Sequence, residues 1–179
     1  ELSDFMGTPL VDALIFAHNA LVGAGLRKDI RVMASGKIIS GFDMAAKICM
    51  GADMCNSARG MMFALGCIQA RRCNTNTCPT GVATQDPWRV QGLVVEDKAQ
   101  RVANYHQNTI RHFMWVLAAA GLNRPDELRP ELLNRRVSLT EIRNYRELYP
   151  YLEPGDLLGG QAPDSYMKPW LAAHSASFG

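Results

Sequence analysis

Residues 30–67 read IRVMASGKIISGFDMAAKICMGADMCNSARGMMFALGC, and this stretch decides the fold class. Residues 30–34 form a short apolar run that ends at Ser35-Gly36-Lys37 and predicts a strand followed by a Gly turn. After Ser40-Gly41 the spacing predicts a helix over residues 42–50. Gly51-Ala52-Asp53 then turns into a second strand over 54–57, and Ala58-Arg59-Gly60 opens a helix over 61–65. Strands separated by a short helix imply right-handed crossovers and a parallel sheet. Two such units cannot cover both faces of a parallel sheet, and a closed eightfold barrel takes about 250 residues. The expectation is therefore the C-terminal part of a larger α/β protein.

Working outward, residues 8–25 predict a helix. Thr8 is a good N-cap, Pro9 suits the first helical position, and Leu10, Leu14, Ala17, His18 and Leu21 fall near one face. Residues 67–94 lose apolar periodicity and are rich in Cys, Asn, Thr, Gly and Pro, and a loop of that length in a compact protein is usually functional. Residues 95–120 predict the longest helix, with Ala99, Val102, Ala103, Ile110, Phe113, Met114 and Leu117 as its apolar face and Gly121 as its stop. Beyond it, residues 126–133 and 140–147 predict short helical pieces, and the proline-punctuated stretch 150–179 predicts an irregular arm.

Composition narrows the classes. The chain has 179 residues, of which 47% are hydrophobic and 20% charged, so it is not a disordered polymer. A net charge of +2 gives no nucleic-acid footprint. Apolar runs break well short of the ~18 residues of a membrane helix, and the opening residues carry no secretory leader pattern. Five cysteines are too few and odd in number for a disulfide scaffold, which points to a reducing, cytoplasmic setting.

Cys67, Cys73 and Cys78 are spaced C-x5-C-x4-C, with Asn74, Thr75, Asn76 and Thr77 supplying turn chemistry between them. Thiolates suit iron–sulfur clusters or zinc. Structural zinc usually takes four ligands, and the next His is His106, inside the long helix. Three close thiolates fit a three-iron cluster better, while zinc with a remote fourth ligand and plain buried thiols stay open. Cys49 and Cys55 sit among apolar residues and read as small buried hydrophobes. Arg71 and Arg72 read either as charge compensation for a cluster, as contact with a redox partner, or as solvated surface. Trp88 reads as an anchor for the loop. Met33, Met44, Met50, Met54, Met61 and Met62 read as packing, and no histidine is assigned a catalytic role.

Two segments predict an anion site: Ser35-Gly36-Lys37 after the first strand, and Ser57-Ala58-Arg59 before Gly60 after the second. Loops after the last strands of a barrel, followed by a helix N-terminus, commonly hold phosphate because free N–H groups converge on the anion. Each segment alone is weak; the pair, one strand–helix unit apart, is stronger.

Residues 34–67, followed by IQARRCNTNTCPTGVATQDP over 68–87, resemble the end of the FMN-binding barrel domain of glutamate synthases. The likeness is closest in style to the shorter family members, covers residues 1–95 well, and rests on LGC, the C-x5-C-x4-C spacing and CPTGVATQ. The resemblance implies a (β/α)8 TIM barrel, here its last two βα units, with the Cys-rich loop (67–94) closing a segment 1–95 and a helical extension over 96–179. It implies FMN phosphate near Ser35, Gly36, Lys37, Ser57, Ala58 and Arg59, and a [3Fe-4S] cluster on Cys67, Cys73 and Cys78. The implied reaction reduces 2-iminoglutarate, formed from 2-oxoglutarate and ammonia, to L-glutamate. The electron donor would be ferredoxin or an NADPH-oxidising subunit. Two departures stand out: many members carry Asp where this chain has Ser35, and the larger synthases lack a basic residue at the position of Arg59. The substrate groups belong to upstream strands, so these residues alone are not expected to be active. Two other functions compete: an FMN-dependent methylamine-glutamate N-methyltransferase (N-methylglutamate synthase), and a zinc-stabilised, non-enzymatic interaction domain.

Overall fold

Proline and a buried amide shape the first element. In the computed structural model, which describes residues 6–176, helix α1 runs Leu10–Gly23. Pro9 stays extended just outside it (φ −54°, ψ 145°) and its carbonyl accepts the Ala13 N–H at 2.9 Å, so the helix starts one turn position later than Thr8 would set it. The alternation that follows matches the expected order with shorter strands: β1 (Met33–Ser35), α2 (Gly41–Cys49), β2 (Met54–Asn56) and α3 (Arg59–Leu65). Strands β1 and β2 pair in a two-stranded sheet. A long helix α4 spans Val95–Ala119. Mixed helix and sheet with few strands is an α/β arrangement.

The region after α4 departs from expectation. Residues 126–133 are two 3-10 turns, Pro125–Glu127 and Pro130–Leu132, because a proline opens each and the chain leaves the turn extended at Leu128 and Leu133. Residues 140–147 are not one helix. Strand β4 (Ile142–Asn144) pairs antiparallel with β3 (Asn134–Arg136), and only Tyr145–Leu148 is helical, as α5. Asn144 explains the switch: its side chain accepts the Glu147 N–H while the Glu147 carboxylate accepts the Asn144 N–H, a capping box that starts a helix there and nowhere earlier. The arm also holds a helix, α6 (Asp164–Ala172), which tolerates Pro169 near its end.

The described residues divide into two compact units. One takes in the chain up to Ala34, Ala46–Met54 and the chain from Arg124; the other takes in Ser35–Ala45 and Cys55–Asn123. In the first unit, Leu152, Leu157, Ala162 and Tyr166 form one apolar cluster with Met167 against it. Asn19 of α1 is fully buried; its amide donates to the Ile15 carbonyl and accepts the Leu152 N–H, both at 2.8 Å. Phe16 stacks on Tyr166 with ring centroids 4.9 Å apart. The buried face of α1 is thus Leu14, Ile15, Asn19 and Gly23, and Ala17 is exposed, because the C-terminal segment covers α1 from a direction the apolar pattern does not encode. Gly23 leaves room for Leu157, whose Cγ would lie 2.8 Å from a Cβ there.

The same unit fixes where the strands begin. Arg27 donates to the Gly51 carbonyl, the Ile30 carbonyl and Asp53 Oδ2, each at 2.8 Å, and to His18 Nδ1 at 3.0 Å. Asp53 Oδ2 also accepts the Val32 N–H at 2.7 Å, and the Val32 carbonyl accepts the Asp53 N–H at 2.8 Å. Burial works against the Asp53 carboxylate, but the Val32 N–H and the Arg27 guanidinium together hold its pKa below the ordinary carboxylate range. Burial, aided by the Arg27 charge, lowers the His18 pKa, so His18 is a packed neutral ring. Cys49 is buried as expected, and burial pushes its thiol up to about 11.

In the second unit α3 packs along α4. Only Phe113 and Leu117 of the expected α4 face are buried; Ile110, Met114, Ala99 and Ala103 are exposed. Met33 and Met54 are also exposed rather than core, since they flank Ala34 and Cys55 on strands that carry few neighbours. Among the described residues no helix is long and apolar enough to cross a membrane.

Asp53→Asn should lower stability by roughly 1–3 kcal/mol, because it leaves the half-buried Arg27 charge without its counter-charge. In the unsubstituted protein both groups titrate below their unfolded values, so the unfolded chain binds protons first and stability falls with acidification. The first loss begins below about pH 6.5 (His18) and the second below about pH 4 (Asp53). Denaturant melts at stepped pH check this, and Asp53→Asn should shrink the second step.

Candidate functional site

The two segments expected to hold an anion follow β1 and β2 directly and belong to one unit. After β1 the backbone turns through Gly36 (φ 143°) and Lys37 (φ 52°), both left-handed, which is the conformation a glycine tolerates and which lifts the Lys37 backbone out of the strand. The segments meet through Ser57, whose Oγ donates to the Ile38 carbonyl at 2.7 Å. Ser35, Lys37, Ala58 and Arg59 are exposed, Gly36 and Ser57 half-buried. Among the described residues neither Lys37 nor Arg59 makes an ion pair, so the two segments carry two cations that no protein carboxylate neutralises. That donor set fits a phosphate dianion. Ser57 itself is committed to Ile38.

Two glycines let α4 approach this corner. A Cβ on Gly60 would collide with the Tyr105 hydroxyl and come within 2.6 Å of Ser57 Oγ. A Cβ on Gly41 would run into the backbone of Phe113. The Tyr105 hydroxyl donates to the Ile39 carbonyl at 2.6 Å. Tyr105 is a residue that the apolar pattern of α4 gave no reason to single out; the signal in the sequence is the pair of helix-start glycines, Gly41 and Gly60, whose only use is room for a neighbour.

The cysteine loop leaves α3 at Gly66. Cys67 is half-buried, Cys73 is exposed on a 3-10 turn (Cys73–Thr75), and Cys78 is buried. Backbone amides already face two of the sulfurs. Gln69 donates its N–H to Cys67 Sγ at 3.5 Å. The Thr80 hydroxyl, 3.5 Å from Cys78 Sγ, together with the N–H groups of Ala83, Thr80 and Val82, lowers the Cys78 thiol to about 7 against the effect of burial. Thiolate donors ringed by N–H groups are the right chemistry for an iron–sulfur cluster. The geometry is open, however: among the described residues no three His, Cys, Asp or Glu side chains are gathered as a metal site.

Asn76 holds the loop's shape. It sits at φ 59°, its Oδ1 accepts the Gln85 N–H at 2.6 Å, and its carbonyl accepts the Thr84 hydroxyl at 2.7 Å. Asp86 then accepts the N–H groups of Trp88 and Arg89, both at 2.9 Å. Trp88 is 78% exposed and anchors nothing in this chain; the anchoring falls to Asn76 and Asp86 because a short polar side chain can close a turn on its own backbone and an indole cannot. Cys73, Asn76, Val82 and Thr84 line an open hollow of about 630 Å³.

Residues 1–123 match the conserved region in glutamate synthase. The chain belongs to the glutamate synthase family. Glutamate synthase relatives repeat the likeness across kingdoms. The glutamate synthase large subunit-like protein YerD of Bacillus subtilis is 45% identical over 125 residues, covering 70% of this chain and 24% of that protein. The archaeal glutamate synthase [NADPH] of Methanocaldococcus jannaschii is 37% identical over 126 residues, 70% of this chain and 25% of the relative. The ferredoxin-dependent glutamate synthase 1 of Arabidopsis thaliana is 32% identical over 148 residues, 77% of this chain and 9% of the relative. The chain therefore corresponds to a quarter or less of the glutamate synthases it matches.

Asn76→Ala should loosen the cysteine loop, since it removes the Oδ1 contacts to the Gln85 N–H and the Thr84 hydroxyl and strains a left-handed position by about 1–2 kcal/mol. Faster amide exchange at Gln85 and faster limited proteolysis within residues 67–94, with α4 still protected, are the expected readouts.

Proposed function

We propose that this chain supplies the last two strand–helix units of a (β/α)8 barrel, through about residue 95, and a helical extension beyond, in a glutamate synthase-type oxidoreductase that makes L-glutamate from 2-iminoglutarate. The imine forms from 2-oxoglutarate and ammonia. Family membership supports the reaction class. The observation that carries the flavin site is the Ser57–Ile38 hydrogen bond, which joins the two segments bearing unneutralised cations into one corner.

In this reading Ser35, Gly36 and Lys37 bind the FMN phosphate from one side, and Ser57, Ala58 and Arg59 from the other. Lys37 and Arg59 offset its charge, while the backbone turn at Gly36 lets amides approach an oxygen closely. Cys67, Cys73 and Cys78 would hold the [3Fe-4S] cluster. When bound, FMN supplies the hydride and the cluster the electrons that replenish it, which is chemistry no side chain here provides. What the chain contributes is orientation, charge and N–H donors to sulfur. The electron donor is a ferredoxin or an NADPH-oxidising subunit, and the setting is a reducing one such as the cytoplasm.

The whole polypeptide that carries this chain should contain iron, sulfide and FMN, and should form L-glutamate from 2-oxoglutarate and ammonia with a reduced donor. Formation of N-methylglutamate from methylamine instead would reassign it as the transferase, and colourless protein with stoichiometric zinc would make it an interaction domain. Cys73→Ser should abolish the cluster signal in electron paramagnetic resonance and leave FMN content unchanged; equal loss of both cofactors would make the loop a folding element.

A further inference from the structure

The Tyr105 hydroxyl ends a chain of contacts that begins at the anion-binding turn. Its oxygen lies 2.6 Å from the Ile39 carbonyl, one residue beyond the Ile38 carbonyl that Ser57 holds at 2.7 Å. It also occupies the space that a side chain at Gly60 would fill, and Gly41, two residues past Ile39, rests on the backbone of Phe113, eight residues further along α4. Consecutive carbonyls at 38 and 39 are therefore tied to two different elements, β2's exit and α4, both within one unit. The turn at Gly36 and Lys37 stands immediately before them, and a left-handed turn of that kind is held only as firmly as the residues that follow it.

We propose that Tyr105 is a positioning residue for the flavin phosphate. By holding Ile39 it sets the distance between the 35–37 turn and the 57–59 segment, so that both reach one phosphate group. The inference rests on the flavin reading above and adds to it a residue outside both phosphate segments. Tyr105 touches neither the phosphate nor the reacting atoms; it acts through the Ile39 carbonyl. The ring keeps its seat against Gly60 in Tyr105→Phe, so that variant removes the hydrogen bond with little change in packing.

The test uses the whole polypeptide carrying this chain, stripped of flavin, and compares binding of FMN with binding of riboflavin by fluorescence quenching. Riboflavin has the same ring and ribityl chain and lacks the phosphate. Tyr105→Phe should weaken FMN about tenfold, the scale of one lost hydrogen bond to a functional loop. Riboflavin affinity should stay within about twofold, and the thermal midpoint and iron content should stay unchanged. Unaltered FMN affinity, or equal weakening of both flavins, overturns the positioning role. Failure of the unsubstituted protein to bind FMN at all would overturn the flavin reading itself, and the role of Tyr105 with it.

Discussion

One carboxylate ties the starts of the two short strands together. Asp53 sits just before β2, yet it caps the start of β1 through the Val32 N–H and pairs with Arg27 from the turn after α1. Three segments far apart in sequence converge on it, and the register between β1 and β2 follows, with the Val32 carbonyl accepting the Asp53 N–H. Each strand is only three residues long, so ladder hydrogen bonds alone could not fix that register. Charge-assisted bonds in a partly buried setting do what a longer sheet would do by repetition.

At the exits the logic changes from charge to space. Gly41 and Gly60 are not turn glycines; they lie at helix starts, and each is small because α4 comes close. Close approach brings the Tyr105 hydroxyl to the Ile39 carbonyl, while Ser57 satisfies the one before it. Carbonyls left without a partner would be free to take several orientations, and these two bonds fix both. The cysteine loop is organised on the same local scale, by Asn76 and Asp86 closing turns over their neighbours.

What could be read in the residues divides along the range of the interactions. The order helix, strand, helix, strand, helix was legible because glycines and apolar runs are local signals, and the long helix was legible from its length. The two segments that end at Lys37 and Arg59 are brought side by side by the Ser57–Ile38 hydrogen bond. Residues 140–147 are not one helix because pairing with β3 takes residues 142–144 into a strand, and the capping box at Asn144 and Glu147 starts the helix only after it. Met33 and Met54 were misread because apolar character says that a side chain can be covered, not that this chain covers it. Trp88 was misread for the converse reason: a large aromatic near a motif invites a role, yet small polar residues close the loop. Tyr105 could not be found from pattern at all, since its partner is a backbone carbonyl 66 residues away.

The buried amide of Asn19 has a further consequence, for where the protein can be cut. The match to the conserved region ends at residue 123, and a biochemist trimming to that limit would discard residues 124 onward as an appendage. Yet Asn19 bonds the backbone of Leu152, and Leu157 fills the notch at Gly23. Such a truncation would strip the hydrophobic cover from α1, opening its apolar face to water and removing the Leu152 partner of the Asn19 carboxamide. The end of that conserved region and the limit of what α1 needs in order to stay covered are therefore different places in the chain.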